Sequence, residues 1–263
     1  MTEYNGSLLR RGNLETNALT ARSAAEKYAV LFVHGILGTP QYFQPFLPLV
    51  PASWCVLNLQ LSGHGGVRDF SRASMGEWKK QTEGALEHLL SQGFRVVIAA
   101  HSMGTLLAIR AALRRPVAAM FLLNVPLRIR PRLRLLKTAY RVYSGKIPSD
   151  DVWSLAAKNA YGIEKDLNVF HYAGWVPRYI ELFREIRKTR KAAKSLSVKS
   201  RVYLSDKDEM VAVKSAKAFK DNSFVTVKVL KSSGHYYYSD ADLRLLKSDF
   251  SEMLYELQMT ESP

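Results

Sequence analysis

The strongest indication of the fold is the segment Arg95-Val-Val-Ile-Ala-Ala-His-Ser-Met-Gly104. Its first five residues form an apolar, β-branched run that is typical of a buried parallel strand, and Thr105 to Arg115 then predicts a helix. Ser102 therefore lies at a sharp turn between strand and helix, which the small residues Ala100 and Gly104 allow to form. The turn exposes the serine hydroxyl, and the helix N-terminus favours negative charge beside it. Ser102 is the candidate nucleophile, although the pattern taken alone also fits a serine in an ordinary loop.

The composition is that of a globular chain. It has 263 residues, 47% of them hydrophobic, which suffices for a sizeable core in one domain. No apolar run reaches the roughly 18 residues that a transmembrane helix needs, and the first residues contain no apolar signal core. Cys55 is the only cysteine, so no internal disulfide forms. Such cysteine usage fits a reducing compartment, and we expect a cytoplasmic protein.

Strands and helices alternate along most of the sequence. Apolar or β-branched runs predict strands, and segments with helical spacing or with capping residues such as Ser74 and Ser239 predict helices. This alternation implies a mostly parallel sheet with helices on both faces. The predicted strands are 28–33, 54–59, 95–99, 118–123, 201–204 and 225–230, with one or two short edge strands within 1–26. The predicted helices are 40–49, 74–93, 105–115, 177–194, 213–220 and 240–257.

The alternation is interrupted between Leu127 and Lys199. This segment holds seventeen Lys and Arg residues against six Asp and Glu residues, and so carries most of the net charge of +15. It is too long for a bare loop in a compact domain. We expect a basic helical cap above the carboxyl ends of the strands, where open α/β sheets bind ligands. In one of its helices, Ile180, Phe183 and Ile186 form an apolar stripe, which we expect to line a pocket.

The basic side of this cap allows three interpretations. It faces water, as most basic helix faces do, it steers anionic substrates, or it makes a weak contact with an anionic membrane surface. The aromatic residues of the segment follow no pattern of a base-stacking platform, so we expect no nucleic-acid partner.

Partners for the serine follow two later predicted strands. His235 comes just after the last strand, and Asp206 and Asp208 both follow the strand before it. A serine nucleophile needs a base that takes its proton and an acidic group that orients the base. It also needs N–H donors for the developing oxyanion, and Met103 supplies one directly after the serine.

The chain order Ser, Asp, His and these loop positions resemble the α/β-hydrolase superfamily over essentially the whole chain. The nearest likeness is to bacterial carboxylesterases and monoacylglycerol-lipase-like serine hydrolases. Many of these present their histidine as in Ser233-Gly-His235, and Asp208-Glu-Met-Val211 is similar to the superfamily's Asp-x-x-Val pattern. Ala100 departs mildly from the usual first glycine of the serine motif. The resemblance implies a catalytic triad of Ser102, Asp208 and His235.

The resemblance also implies a second oxyanion donor and a domain organisation. The loop His34-Gly-Ile-Leu-Gly38 is similar to the superfamily's His-Gly-x motif, so the N–H groups of Ile36 and Met103 are the expected donors. The implied fold is an α/β-hydrolase fold: a mostly parallel twisted sheet flanked by helices, with a helical lid inserted after the sixth-strand region. The hydrolase core comprises 1–126 and 200–263, and the basic lid comprises 127–199.

Other histidines are interpreted as structural. His64 lies in a Gly-His-Gly loop, His101 lies beside the candidate nucleophile, and His34 supports the oxyanion loop. No set of His, Cys, Asp and Glu has the spacing of a zinc site, and no phosphate-binding Gly-rich loop carries a lysine. We therefore expect neither a metal nor a cofactor.

These residues predict a serine hydrolase that cleaves a small-molecule ester with an apolar acyl group through an acyl-enzyme. The same triad serves thioesterases and acyltransferases, which are the nearest alternatives. An alternative from another class is a non-catalytic lipid- or membrane-binding module that keeps the fold.

Overall fold

A computed structural model describes residues 6–9, 27–64, 73–161 and 174–259. In these ranges seven strands form one sheet: β1 (Gly6–Leu9), β2 (Lys27–Val33), β3 (Cys55–Leu59), β4 (Phe94–His101), β5 (Ala119–Leu123), β6 (Ser200–Ser205) and β7 (Val225–Leu230). Their order is β1-β3-β2-β4-β5-β6-β7. All neighbouring pairs are parallel except β1 and β3, which are antiparallel. One of the expected edge strands is β1, and a second would lie outside the described residues.

The described helices are α1 (Met75–Ser91), α2 (Met103–Ala112), α3 (Leu133–Ser144), α4 (Val152–Ala160), α5 (Val176–Ala192) and α6 (Asp240–Met259). The predicted capping residues begin two of them. The Ser74 hydroxyl oxygen accepts the N–H of Glu77 at 3.0 Å in α1, and the Ser239 hydroxyl oxygen accepts the N–H of Asp242 at 3.2 Å in α6. No helix in the described ranges is both long and apolar enough to span a membrane.

Two predicted helices are instead 3₁₀ segments. The region 40–49 forms two short turns, Pro40–Phe43 and Leu47–Leu49. Pro48 lacks an N–H and its ring obstructs the preceding turn, so an α-helix cannot run through the region. Val213–Phe219 is also a 3₁₀ helix.

Hydrophobic clusters cover both faces of the sheet. On one face, residues such as Leu31 and Ile98 pack with α1, α2 and α5. On the other face, Phe32 and Phe121 pack with the 3₁₀ turns that follow β2 and with α6. Adjacent residues Leu31 and Phe32 serve opposite clusters because side chains alternate along a strand. The expected fold class, a mostly parallel sheet flanked by helices, is confirmed.

The segment 127–199, called the insertion here, follows β5 and carries α3, α4 and α5. Its last helix lies differently from the expectation. The predicted stripe is divided, because Ile186 is buried in the core while Ile180 and Phe183 are exposed. The face of α5 that packs inward includes Leu182 and the buried carboxylate of Glu185, which pairs with basic side chains of α1 and α2. Glu185 thus occupies a buried position of α5 as part of an ion pair, and the spacing of apolar residues in the sequence does not predict a charged residue there.

Candidate active site

Ser102 occupies the turn between β4 and α2. Its φ of 52° lies in the left-handed region, which costs a non-glycine residue about 1–3 kcal/mol. The N–H of Ser102 donates to the Leu123 carbonyl at 2.9 Å and so joins this turn to the end of β5. The sequence motif therefore forms the sharp strand-to-helix turn that was expected.

Two glycines permit close packing around the serine. A Cβ on Gly104 would lie 2.2 Å from the Val33 carbonyl oxygen, and a Cβ on Gly35 would lie 2.9 Å from the Ser102 Cβ. Both distances are shorter than van der Waals contact, so neither position accepts a side chain without a shift of its surroundings. The loop after β2 consequently lies directly against Ser102.

Three buried side chains that are distant in the sequence meet beside this turn. The Nε2 atom of His235 lies 3.0 Å from the Ser102 Oγ, and its Nδ1 atom lies 2.8 Å from the Asp208 Oδ2. The second carboxylate oxygen of Asp208 accepts the N–H groups of Met210 and Val211, each at 2.7 Å. With the Nδ1–H donating to the carboxylate, Nε2 has a lone pair that can accept the serine hydroxyl proton.

The structure brings one of the two candidate acids to His235. Asp206 instead uses its backbone: its N–H donates to the Leu230 carbonyl, and its own carbonyl accepts from the Arg132 guanidinium at 2.6 Å. Within the described residues, the buried Oδ1 of Asp206 has no hydrogen-bond partner. The geometry therefore favours Asp208.

The two expected oxyanion donors lie beside Ser102 but belong to two different segments of the chain. Met103 is the first residue of α2, and Ile36 lies in the loop that Gly35 brings against the serine. Across the described part of the chain, neither the Ile36 N–H nor the Met103 N–H donates to a protein acceptor. Both groups are thus free to bind a substrate oxygen.

Side chains outside the predicted triad hold the backbone of His235; the sequence had singled out His101 among them, but not Glu209 or Asn124. The Glu209 carboxylate accepts the His235 N–H at 2.9 Å. The His235 carbonyl accepts the Nε2–H of His101 at 3.0 Å and the amide of Asn124 at 3.2 Å. Asn124 directly follows β5 at the carboxyl edge of the sheet. This position after a strand was the one feature of the sequence that could have marked Asn124 as a site residue.

Three buried histidines act as neutral supports. Burial lowers the pKa of His34 to about 3 and that of His64 to about 4, and it holds the pKa of His101 well below the usual value. His34 accepts the Leu61 N–H at 3.1 Å and lies 2.8 Å from the Gly35 carbonyl. The structural interpretation of His34 agrees with these contacts.

The insertion borders the site on two sides. Backbone bridges join Tyr161 to Gly38 of the oxyanion loop, and Ile129 to Val211 of the loop that holds Asp208. A small pocket lies between the insertion and the histidine loop. It is lined by Leu135, Thr138, Trp153, Ala157 and Tyr161 of the insertion and by Glu209, Met210, His235, Tyr236 and Tyr237.

Neutral phenols and an indole form much of the wall near His235. The Tyr161 and Tyr236 rings lie 5.3 Å apart, and Trp153 packs on Tyr237. Burial raises the pKa of Tyr161 and that of Tyr236. Within the described ranges, no group of three or more His, Cys, Asp and Glu side chains is arranged to hold a metal ion.

A serine, a carboxylate and a histidine that follow strands of a mostly parallel sheet in this chain order, and that are hydrogen-bonded in series, fit the class of proteins with the α/β-hydrolase fold. The chain belongs to the Alpha/beta hydrolase family, whose model matches residues 30–246. Membership of this family supports a hydrolase activity. A search of curated proteins finds no significant match.

Solved structures similar to the chain include several that act on esters or lipids. A structure of the metagenome-derived lipolytic enzymes LipS and LipT has 16% identity and a TM-score of 0.65, with 87% of this chain and 94% of that chain covered. The monoacylglycerol lipase of Paleococcus ferrophilus has 12% identity and a TM-score of 0.63, with 88% and 96% covered. Est1E from Butyrivibrio proteoclasticus, solved with ferulic acid bound, has 14% identity and a TM-score of 0.63, with 98% and 96% covered. At these identities the likeness shows the fold.

Proposed function

We propose that this protein is a serine hydrolase that cleaves carboxylic esters through an acyl-enzyme. The observation that carries the proposal is the hydrogen-bonded series from the Ser102 hydroxyl through His235 to Asp208. Family membership and the likeness to esterase and lipase folds support the same reaction class. The substrate class is a small-molecule ester with an apolar acyl group.

In the first half of the reaction, the Ser102 oxygen attacks the ester carbonyl carbon while the His235 Nε2 takes the hydroxyl proton. Asp208 keeps the imidazole in the required tautomer and stabilises the imidazolium without accepting its proton. The N–H groups of Ile36 and Met103 bind the negative oxygen of the tetrahedral intermediate. When that intermediate collapses, the bond to the alcohol breaks and His235 gives its proton to the leaving alkoxide.

The second half repeats these steps with water. The oxygen of a water molecule attacks the acyl carbon while His235 takes a proton from that water. The new intermediate collapses, the bond to the Ser102 oxygen breaks, and His235 returns a proton to the serine. The products are the carboxylic acid and the free enzyme.

The proposal includes a role for the insertion 127–199 as a cap on the core made by 1–126 and 200–263. Leu135, Trp153 and Ala157 lie beside His235, which supports a cap whose apolar side chains face the candidate active site. The backbone bridge between Tyr161 and Gly38 links the cap to the oxyanion loop.

The decisive experiment replaces Ser102 with alanine. The Ser102→Ala variant should lose p-nitrophenyl ester turnover and labelling by a fluorophosphonate probe, while its thermal unfolding stays close to that of the wild type. Ser91→Ala, at the exposed end of α1, serves as the matched control and should keep both properties. Turnover in Ser102→Ala at the wild-type level would contradict the proposal, and absence of labelling in the wild type would favour a non-catalytic module.

A substrate panel separates the remaining reactions of this class. Esters with graded acyl chains are compared with an acyl-CoA, with and without an added alcohol. Faster cleavage of the acyl-CoA would favour a thioesterase, and transfer of the acyl group to the alcohol would favour an acyltransferase.

A further inference from the structure

The outer face of α3 carries an apolar stripe in solvent. Leu133, Leu136 and Tyr140 are 87%, 69% and 67% exposed, and Tyr143 continues the stripe one turn further. These residues recur at spacings of three and four, which places them on one side of the helix. Large aliphatic side chains exposed in series mark an interaction surface.

The first two turns of α5 carry a second exposed apolar stripe. Val176, Ile180 and Phe183 are each about half exposed. Tyr179 lies among them on the same helix and is 36% exposed. The exposed apolar residues of these two helices are together called the outer cap face: Leu133, Leu136, Tyr140, Tyr143, Val176, Tyr179, Ile180 and Phe183.

Positive charges surround the outer cap face. Lys137 is exposed on α3, and the later turns of α5 expose four further basic residues, Arg184, Arg187, Lys188 and Lys191. The acidic residues nearby are largely neutralised. Of the four acidic residues in the described part of the insertion, three are paired: Asp151 with Arg141, Glu181 with Arg178, and Glu185 with Lys79.

We infer that the outer cap face docks on an anionic lipid surface. Aliphatic side chains on the outside of two helices can enter the boundary between head groups and acyl chains, while the surrounding Lys and Arg side chains contact lipid phosphates. Basic residues near such a surface strengthen binding through electrostatic attraction, which salt screens. The charges alone would also fit a nucleic acid, but a phosphate backbone does not bury leucine and isoleucine side chains.

A second copy of the chain is a poorer occupant of the same face. Two copies that met through this surface would bring the same lysines and arginines together, which repel each other. The opposite side of α3 adds a reason for a lipid partner. Leu135 and Thr138 line the pocket beside His235, so the helix that carries the outer stripe also covers the candidate active site.

Vesicle co-sedimentation of the full chain tests this inference. Vesicles of phosphatidylcholine containing roughly one third phosphatidylglycerol are compared with vesicles of phosphatidylcholine alone. We expect binding to the anionic vesicles that weakens as salt is raised, and at least tenfold weaker binding to the neutral ones. Equal binding to both, or no binding to either, would overturn the inference.

Two matched pairs of variants separate the apolar and the basic contributions. Leu133→Ser with Leu136→Ser should weaken binding to anionic vesicles at least tenfold, while Phe224→Ser with Tyr255→Ser, exposed outside the insertion, should leave it unchanged. The charge variant combines Lys137→Gln, Arg187→Gln and Lys188→Gln, and its control combines Lys217→Gln, Lys220→Gln and Lys231→Gln. If a variant and its control lost vesicle binding equally, net charge or general hydrophobicity would account for the binding, and the inference would be overturned.

Two further measurements test whether unfolding or dimerisation accounts for a loss of vesicle binding. Circular dichroism melting shows that each variant is folded, and gel filtration at the assay concentration excludes a dimer as the occupant. A dimer that Leu136→Ser dissociates would assign the face to self-association and overturn the inference. The Ser102→Ala variant should bind vesicles as the wild type does, so failure of the lipid surface and failure of the proposed catalysis are distinguishable.

Discussion

At the scale of single residues, His235 is fixed through its backbone as well as its ring. Its N–H and its carbonyl are buried, and buried backbone groups need partners. Glu209 supplies the acceptor, and Asn124 and His101 supply donors. The ring therefore faces Ser102 from a backbone whose two polar groups are held by side chains at or shortly after the ends of three different strands, β4, β5 and β6. This arrangement makes Glu209 a positioning residue rather than a catalytic one.

We predict that Glu209→Gln keeps most of the wild-type kcat, because the amide oxygen can still accept the His235 N–H. Glu209→Ala removes the acceptor, and a buried N–H left without a partner costs about 1–3 kcal/mol. We therefore expect kcat for a p-nitrophenyl ester to fall about tenfold or more in Glu209→Ala, with KM little changed. Equal kcat values for the two variants would contradict this role.

A second prediction concerns the choice between the two acids. Asp208→Asn should lower kcat by roughly 10³–10⁴, because an amide at this position leaves the imidazole in the wrong tautomer. Asp206→Asn is the matched control, since Asp206 contacts its neighbours through backbone atoms, and its kcat should stay within a few-fold of the wild-type value. Steady-state kinetics at pH 7 measures both, and the reverse ranking would assign the acid to Asp206.

A site residue could be predicted from the sequence where it belongs to a recognisable motif. Ser102, Asp208 and His235 each follow an apolar strand, and parallel strands bring such positions to one edge of the sheet. Asn124 follows a strand in the same way, but a lone asparagine carries no motif. Glu209 was visible only as a neighbour of the candidate acid, because contact with a backbone N–H depends on loop conformation.

At the scale of elements, buried strands were the easiest to predict. β5 and residues 96–100 of β4 are apolar throughout because helices cover both faces of the sheet, and such runs have few other interpretations. Helical segments were harder wherever a local or a tertiary feature overrides the apolar spacing. Pro48 prevents a continuous α-helix through 40–49, and the buried Glu185 places an ion pair on the inner face of α5, where apolar spacing alone gives no signal.

Two helices offer a matched test of close packing, because each has glycine as its second residue. Gly104 of α2 faces the Val33 and His34 carbonyls, whereas the nearest atom to a Cβ on Gly76 of α1 would be the Ser74 Oγ at 3.7 Å. Gly104→Ala should lower the free energy of unfolding by at least about 1–3 kcal/mol and reduce ester turnover, since the backbone around Ser102 must move.

Gly76→Ala, by contrast, should raise the free energy of unfolding by up to about 1 kcal/mol, because alanine is the better helix former and has room here. Urea unfolding measures both variants. Similar changes in the free energy of unfolding for the two substitutions would show that the close packing of α2 against β2 does not require glycine at position 104.

At the scale of the whole molecule, burial of neutral histidines is a source of acid sensitivity. His34, His64 and His101 have lowered pKa values because burial excludes their charged forms. In the unfolded chain each would titrate near pH 6.5. As the pH falls below that value, the unfolded chain takes up protons that the folded chain excludes, so the free energy of unfolding decreases.

The expected decrease between pH 7 and pH 5 is about 2 kcal/mol for each of the three histidines. His64→Gln should therefore reduce the loss of stability over this range by about 2 kcal/mol relative to the wild type, whatever its stability at pH 7. His88→Gln, at an exposed position of α1, is the control and should leave the loss unchanged. Urea unfolding at pH 7, 6 and 5 measures these differences. If His64→Gln and His88→Gln lost stability equally with acid, the buried imidazole of His64 would not be a source of the sensitivity.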